Sequence, residues 1–156
     1  MITIAARLAA AGDLTALGDL RWRLQTGDAA DFDASAKANF VATFAMAAVN
    51  RDPSTQHFVG EKDGHIVAAM TVRRVEKIPE PAKSQAFWGY LTNCYVLPAF
   101  RDKSAGSALL QFVRRWAKDE GLEMLVVWPS DRAYPFYERQ GFRRDADPLV
   151  LHLDGG

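Results

Sequence analysis

This chain has one cysteine, Cys94, so no internal disulfide can form, and the scarcity fits a reducing compartment. It has no surplus of charge of either sign: 19 lysines and arginines balance 19 aspartates and glutamates, and the pI is near 6.8. Nucleic acid is therefore not expected as a partner. Long apolar runs are missing too. Residues 5–11 are broken by Arg7 and closed by Gly12-Asp13, a pattern that suits no signal peptide. Nothing approaches the roughly 18 apolar residues of a membrane span. The expectation is a cytoplasmic protein with no membrane partner. The chain also lacks repeats, low-complexity segments, a linker and the G-x-x-x-x-G-K-[ST] loop of nucleotide-binding proteins.

What is present suits one folded domain, residues 1–156, with 49% hydrophobic and 24% charged residues. A short strand is expected over 2–6. Asp13 is placed to cap a helix carrying Leu14, Leu17, Leu20 and Leu24, which Gly27 closes. Asp33 or Ser35 starts a second helix with Phe40, Val41, Phe44 and Ala48 on its buried stripe, and 50–53 end it at a proline. Strands over 56–61 and 65–75 flank Asp63-Gly64, a hairpin signal, because a type I′ turn needs positive φ at both centres. A loop over 76–84 leads to a long strand over 85–96. Residues 104–120 repeat apolar side chains at helical spacing up to Gly121. A buried strand over 122–128, a helix over 131–140 and a last strand over 142–153 complete the chain. The long antiparallel run argues against a doubly wound nucleotide fold.

Two stretches carry chemistry. In Val96-Leu97-Pro98-Ala99-Phe100-Arg101-Asp102-Lys103-Ser104-Ala105-Gly106-Ser107-Ala108-Leu109-Leu110 a strand passes through a tight polar turn into a helix. Small residues stand where backbone N–H groups lack intrahelical partners and the helix dipole adds positive potential. Such a place binds anions, phosphate above all, and Arg101 and Lys103 add two cations. The second stretch is Ala133-Tyr134-Pro135-Phe136-Tyr137-Glu138-Arg139-Gln140-Gly141-Phe142. In this order the two resemble the GNAT superfamily of N-acetyltransferases. Its first motif reads V-x-P-x-x-[RQ]-x-x-G-x-G/A, and its second ends a helix as F/L-Y-x-x-x-G-F. Val96, Pro98, Arg101, Gly106 and Leu109 match the first, and Phe136, Tyr137, Gly141 and Phe142 the second. Ser104 stands where the first glycine is usual. The element order agrees over nearly the whole chain.

The resemblance implies an α/β (α+β type) fold, a mostly antiparallel central sheet flanked by helices. It implies acetyl transfer from acetyl-CoA, a co-substrate, to a primary amine on a small molecule or peptide, with no metal. A non-catalytic acyl-CoA sensor is the alternative. Cofactor contacts fall on Cys94, Tyr95 and Val96, where a splayed strand would pair with the pantetheine arm. They also fall on Arg101, Asp102, Lys103, Ser104, Ala105, Gly106 and Ser107 around the pyrophosphate. Ser130 takes a place where relatives carry an asparagine, as a pantetheine contact or a helix cap. Tyr137 is the proton donor to the leaving thiolate, a role open to a phenol with pKa about 10, and Tyr134 is its fallback. Cys94 lacks a nearby base and reads as a buried thiol rather than a nucleophile.

No base is fixed. Some relatives use a glutamate where this chain has Leu125, while Glu76, Glu80 and Glu123 read individually as solvated carboxylates. Arg114, Arg115 and Lys118 read as solvated, or one of them reaches the 3′-phosphate of CoA. The resemblance puts the acceptor beside Asp28, Asp31 and Asp33 and the later loop's Glu76 and Glu80, which would steer a cationic amine, or else the aspartates only cap the second helix and keep the loop soluble. The sequence leaves room for a homodimer.

Overall fold

The computed structural model describes residues 2–28, 33–49, 52–145 and 148–154. Strands β1 (Ala5–Leu8), β2 (Thr55–Lys62), β3 (His65–Glu76), β4 (Phe87–Val96) and β5 (Leu122–Val127) form one sheet in sequence order. All neighbours are antiparallel except β4 and β5, which run parallel. Helices α1 (Leu14–Thr26) and α2 (Ala34–Val49) lie between β1 and β2 in the chain, α3 (Ala105–Asp119) joins β4 to β5, and α4 (Tyr134–Arg139) follows β5. This is the mixed, mostly antiparallel arrangement expected. No helix among the described residues is long and apolar enough to cross a membrane.

On one face, Leu109, Leu110 and Val113 of α3 pack with Tyr137 of α4 on Phe58, Met70, Val72 and Leu91 of the sheet. Phe58 meets Trp116 edge-on, with ring centroids 4.9 Å apart. Gly89 lets β4 approach β5 closely: a Cβ there would stand 2.7 Å from the Leu125 side chain. On the other face, Leu17 and Leu20 of α1 bury Val59, Ala69 and Tyr95. Asp63 and Gly64 take φ of 51° and 80°, the hairpin turn the sequence predicts.

Several expectations need correction. The first strand begins at Ala5, later than 2–6. Asp13 does not cap α1 with its side chain. Its carboxylate instead accepts both Nη atoms of Arg7 (2.7 and 3.0 Å) and the Ala10 N–H, because a guanidinium fork binds a carboxylate more strongly than one backbone donor. β5 is an edge strand, partly exposed rather than buried. The last strand expected over 142–153 is not formed by its described residues. Leu149, Leu151 and Leu153 are exposed, since alternation makes a strand only where a neighbour takes its hydrogen bonds. Asp33 does start α2, through the Ala36 N–H, whereas Asp31, Asn50 and Arg51 lie outside the described residues.

Candidate functional site

The site gathers where β4 leaves β5. Their pairing begins at Phe87↔Leu122 and ends at Leu91↔Val127, so Thr92 to Val96 continue along β3 alone. The divergence starts beside a bulge. A step of two residues along β3, from Ala69 to Thr71, faces a step of three along β4, from Tyr95 back to Thr92. Asn93 takes φ 54° there. Among residues with a side chain, asparagine tolerates that conformation best. An extra residue bends its strand and re-aims the side chains beyond it. The Asn93 amide donates to Thr71 Oγ1 (3.2 Å), and that hydroxyl is 2.7 Å from His57 Nδ1.

Beyond the bulge, the Leu97 N–H bonds the Val67 carbonyl. By strand alternation Val96 turns its N–H and carbonyl away from β3, into the opened side. The expected splay beside Cys94, Tyr95 and Val96 is therefore present in the backbone. The Val96 carbonyl is already engaged, accepting Arg101 Nε at 2.8 Å.

The turn into α3 holds two strained residues. Asp102 and Ser104 have φ of 57° and 71°. A residue with a Cβ costs about 1–2 kcal/mol in that region, which explains why a glycine is usual at the Ser104 position. The first helical bond of α3 is donated by Ala108, to Ser104 O at 2.9 Å, so the N–H groups of Ala105, Gly106 and Ser107 precede the ladder. Gly106 faces inward. A Cβ on it would stand 3.5 Å from both Phe136 and Val96, ordinary contact, so the glycine marks close packing between α3, α4 and β4. Gln140 ties the same corner together, donating to Ser107 Oγ at 3.1 Å.

Arg101 differs most from expectation, because it is not a free cation awaiting an anion. Its Nη2 pairs with Asp28 Oδ2 at 2.8 Å, and its guanidinium lies over the Tyr95 ring, 5.2 Å from the centroid. The Tyr95 hydroxyl bonds the other oxygen of Asp28. Burial opposes ionisation of Asp28, but Tyr95 and Arg101 prevail and hold its carboxyl below the usual range. Burial and then Asp28 push the Tyr95 phenol up to about 12. Lys103 is exposed, and its Nζ reaches the Ala99 carbonyl at 2.9 Å.

Tyr137 is buried beside Cys94, whose thiol donates to the Thr92 carbonyl at 3.5 Å. Burial, reinforced by Cys94, raises the phenol above its ordinary value, so it keeps its proton throughout the neutral range. Burial pushes the Cys94 thiol up to about 11, which excludes a ready thiolate nucleophile. Tyr134, the fallback donor, is covered by Arg144, 4.3 Å from its ring centroid. Ser130 is exposed, and its side chain makes no cap bond; only its carbonyl accepts the Ala133 N–H. Of the two roles expected for Ser130, the side-chain cap is therefore not made. Glu123 is held by Lys83 (2.8 Å) and Lys77 (3.1 Å), which lower its pKa, and Glu80 also pairs with Lys77.

The structure thus brings residues 94–96, 101–107 and Tyr137 to one corner. Sequence reasoning missed the Asp28–Arg101 pair, the meeting of Cys94 with Tyr137 and the bulge at Asn93. Only the last left a signal, an asparagine inside a strand.

The geometry sets three helix-start N–H groups beside an opened strand, in a fold that known proteins share. The model of the acetyltransferase (GNAT) family matches residues 16–142, and the chain belongs to that family. Its fold resembles a predicted acetyltransferase from Clostridium acetobutylicum solved with acetyl-CoA (19% identity, 99% of each chain, TM-score 0.75). It also resembles a GCN5-related N-acetyltransferase from Ralstonia eutropha (24% identity, 98% of this chain and 100% of that one, TM-score 0.75). A curated relative, glucosamine 6-phosphate N-acetyltransferase of Trypanosoma brucei brucei, is 24% identical over 99 residues. That match spans 64% of this chain and 65% of the relative's length.

Proposed function

We propose that this chain transfers an acetyl group from acetyl-CoA to a primary amine. The observation that carries the reading is the meeting, at one end of β4, of three helix-start N–H groups, an opened strand edge and a buried, protonated Tyr137. Acetyl-CoA supplies the activated acetyl thioester. The N–H groups of Ala105, Gly106 and Ser107, with Lys103 beside them, would hold the pyrophosphate. Arg101 and Asp102 shape the turn, and Ser104 adds an exposed hydroxyl at its end. Cys94, Tyr95 and Val96 line the opened strand where the pantetheine arm fits, and Ser130 stands exposed beyond the end of β5. Tyr137 holds the proton that the leaving sulfur requires, and burial beside Cys94 keeps it on the phenol. Positioning and directed hydrogen bonds do the rest.

Calorimetry with acetyl-CoA, paired with thiol-release assays on an amine panel, tests the reading. Lys103→Glu reverses an exposed charge beside the cradle and is expected to weaken acetyl-CoA binding about tenfold, roughly 1.4 kcal/mol, with unchanged Tm. No measurable binding by the wild-type protein would overturn the proposal. Tight binding with no amine acetylated by any preparation would favour the sensor instead. Glucosamine 6-phosphate, the acceptor named for the trypanosomal relative, belongs in the panel.

A further inference from the structure

We infer that the acceptor is an amine on a flat, apolar body that also carries a carboxylate or phosphate. This rests on the acetyl-transfer reading and names the chemistry of its second substrate. Leu91, Val72, Leu125 and Val127 point to the α3 face. By strand alternation Tyr90, Arg73, Val126 and Trp128 occupy the opposite face. There α1 and α2 pack on Val59, Ile66, Ala69, Tyr95 and Leu97, and among the described residues that cluster includes neither Tyr90 nor Trp128. The uncovered half carries an aromatic pair. Tyr90 and Trp128 meet edge-on with centroids 5.1 Å apart, yet Trp128 is 57% exposed and neighbouring Met124 53%. Trp128 directly follows Val127, the last β5 residue paired with β4, so the pair stands at the mouth of the opened strand. Rings half in solvent at that point suit a planar or apolar group.

The charges around this floor are positive. Arg73 is exposed and sits across from Tyr90 in register. Arg21 of α1 reaches in from the other end, its Nη1 3.4 Å from Asn93 Oδ1. Among the described residues of α1 and the loop after it, two carboxylates are neutralised in ion pairs and a third is a helix cap. Asp28 holds Arg101 and Tyr95, Asp19 holds Arg23 and Lys37, and Asp33 caps α2. Asp52 feels Arg73, and it accepts the Ser54 N–H at 2.8 Å. Guanidinium groups bind carboxylates and phosphates through paired hydrogen bonds. Two arginines at the ends of an aromatic floor therefore select an anionic amine, the reverse of the cationic acceptor that Asp28 and Asp31 suggest in the sequence.

The test uses matched acceptors at saturating acetyl-CoA: phenylalanine against phenylalaninamide, phosphoethanolamine against ethanolamine, and glucosamine 6-phosphate against glucosamine. The anionic member of at least one pair is expected to have a kcat/KM at least tenfold higher, falling as salt rises. Arg73→Gln should erase most of that ratio, and Trp128→Ala should raise acceptor KM, both with unchanged acetyl-CoA affinity by calorimetry. Neutral or cationic members preferred throughout, or a ratio indifferent to Arg73→Gln, would overturn the inference while leaving acetyl transfer intact. Binding is also read without turnover, as fluorescence quenching by each anionic amine in the wild type but not in Trp128→Phe. Absence of saturable quenching would overturn it, as would sedimentation and footprinting that show a second copy covering Met124 and Trp128.

Discussion

On one face of the sheet, α3 and α4 close over Phe58, Met70, Val72 and Leu91 with side chains that are almost wholly apolar. On the other, α1 and α2 cover one half and leave Tyr90, Met124 and Trp128 in solvent, with a polar chain of His57, Thr71 and Asn93 beneath. The first face fixes the start of α3 and the Tyr137 hydroxyl against β4, so it can present a rigid cradle to an invariant co-substrate. The second is half built, and its open part is where we place the acceptor. The difference teaches where rigidity and where choice reside in this molecule.

The comparison breaks most visibly at Tyr137, where the dry face meets the opened strand. Tyr137→Phe should lower kcat by roughly 10²–10⁴-fold, the usual range for a lost proton donor. Acetyl-CoA affinity should stay close to wild type, because a group acting in the transition state leaves ground-state binding unchanged. Rapid-mixing assays at saturating acceptor measure it, and full kcat in the variant would make the hydroxyl a packing group.

Stability should follow the same asymmetry. Leu109 is fully buried on the α3 face, so Leu109→Ala should cost about 2–5 kcal/mol in urea unfolding. Leu24 packs at the rim of the α1 cluster and is only partly buried, and Leu24→Ala should cost less than half as much. Equal losses would mean that the two faces are held alike.

What the sequence discloses divides along these lines. The α3 stripe, the Asp63-Gly64 turn and the small residues at 104–107 are local patterns whose physics is complete within a few residues, and each is found where expected. Asp28 and Arg101 are 73 residues apart, and no local rule pairs them. The exposure of Trp128 depends on where α1 and α2 stop, which their own periodicity does not state. The strand expected over 142–153 misled because alternation records a tendency, whereas a strand needs an edge to join.

Titration should separate the faces more gently. The folded protein holds the Cys94 thiol at about 11 against 9.0 unfolded, chiefly through burial, and the Tyr95 phenol at about 12 against 10.0. Both values are raised, so the unfolded chain loses these protons first. Their contribution to stability is complete below about pH 9 and is lost as pH climbs toward about 12. Tm should therefore fall across that window, and Cys94→Ala should flatten the part between about 9 and 11. A Tm that is level up to about pH 11 would show a thiol open to solvent.

The smallest effect is expected at Asp28, where the acceptor side touches the cofactor turn. Its carboxylate holds Arg101 at 2.8 Å, so an anion in the cradle must share that guanidinium. Asp28→Asn keeps the shape and still accepts the Tyr95 hydroxyl, while Arg101 stays anchored to the Val96 carbonyl. What changes is the charge. A partly exposed ion pair is worth about 0–1 kcal/mol, so freeing Arg101 should tighten CoA binding by up to about fivefold. The Tyr95 phenol should titrate lower than about 12 once the neighbouring charge is gone, which ultraviolet absorption can follow. Weaker CoA binding in the variant would give Asp28 the opposite role: it would hold Arg101 in the geometry the anion needs.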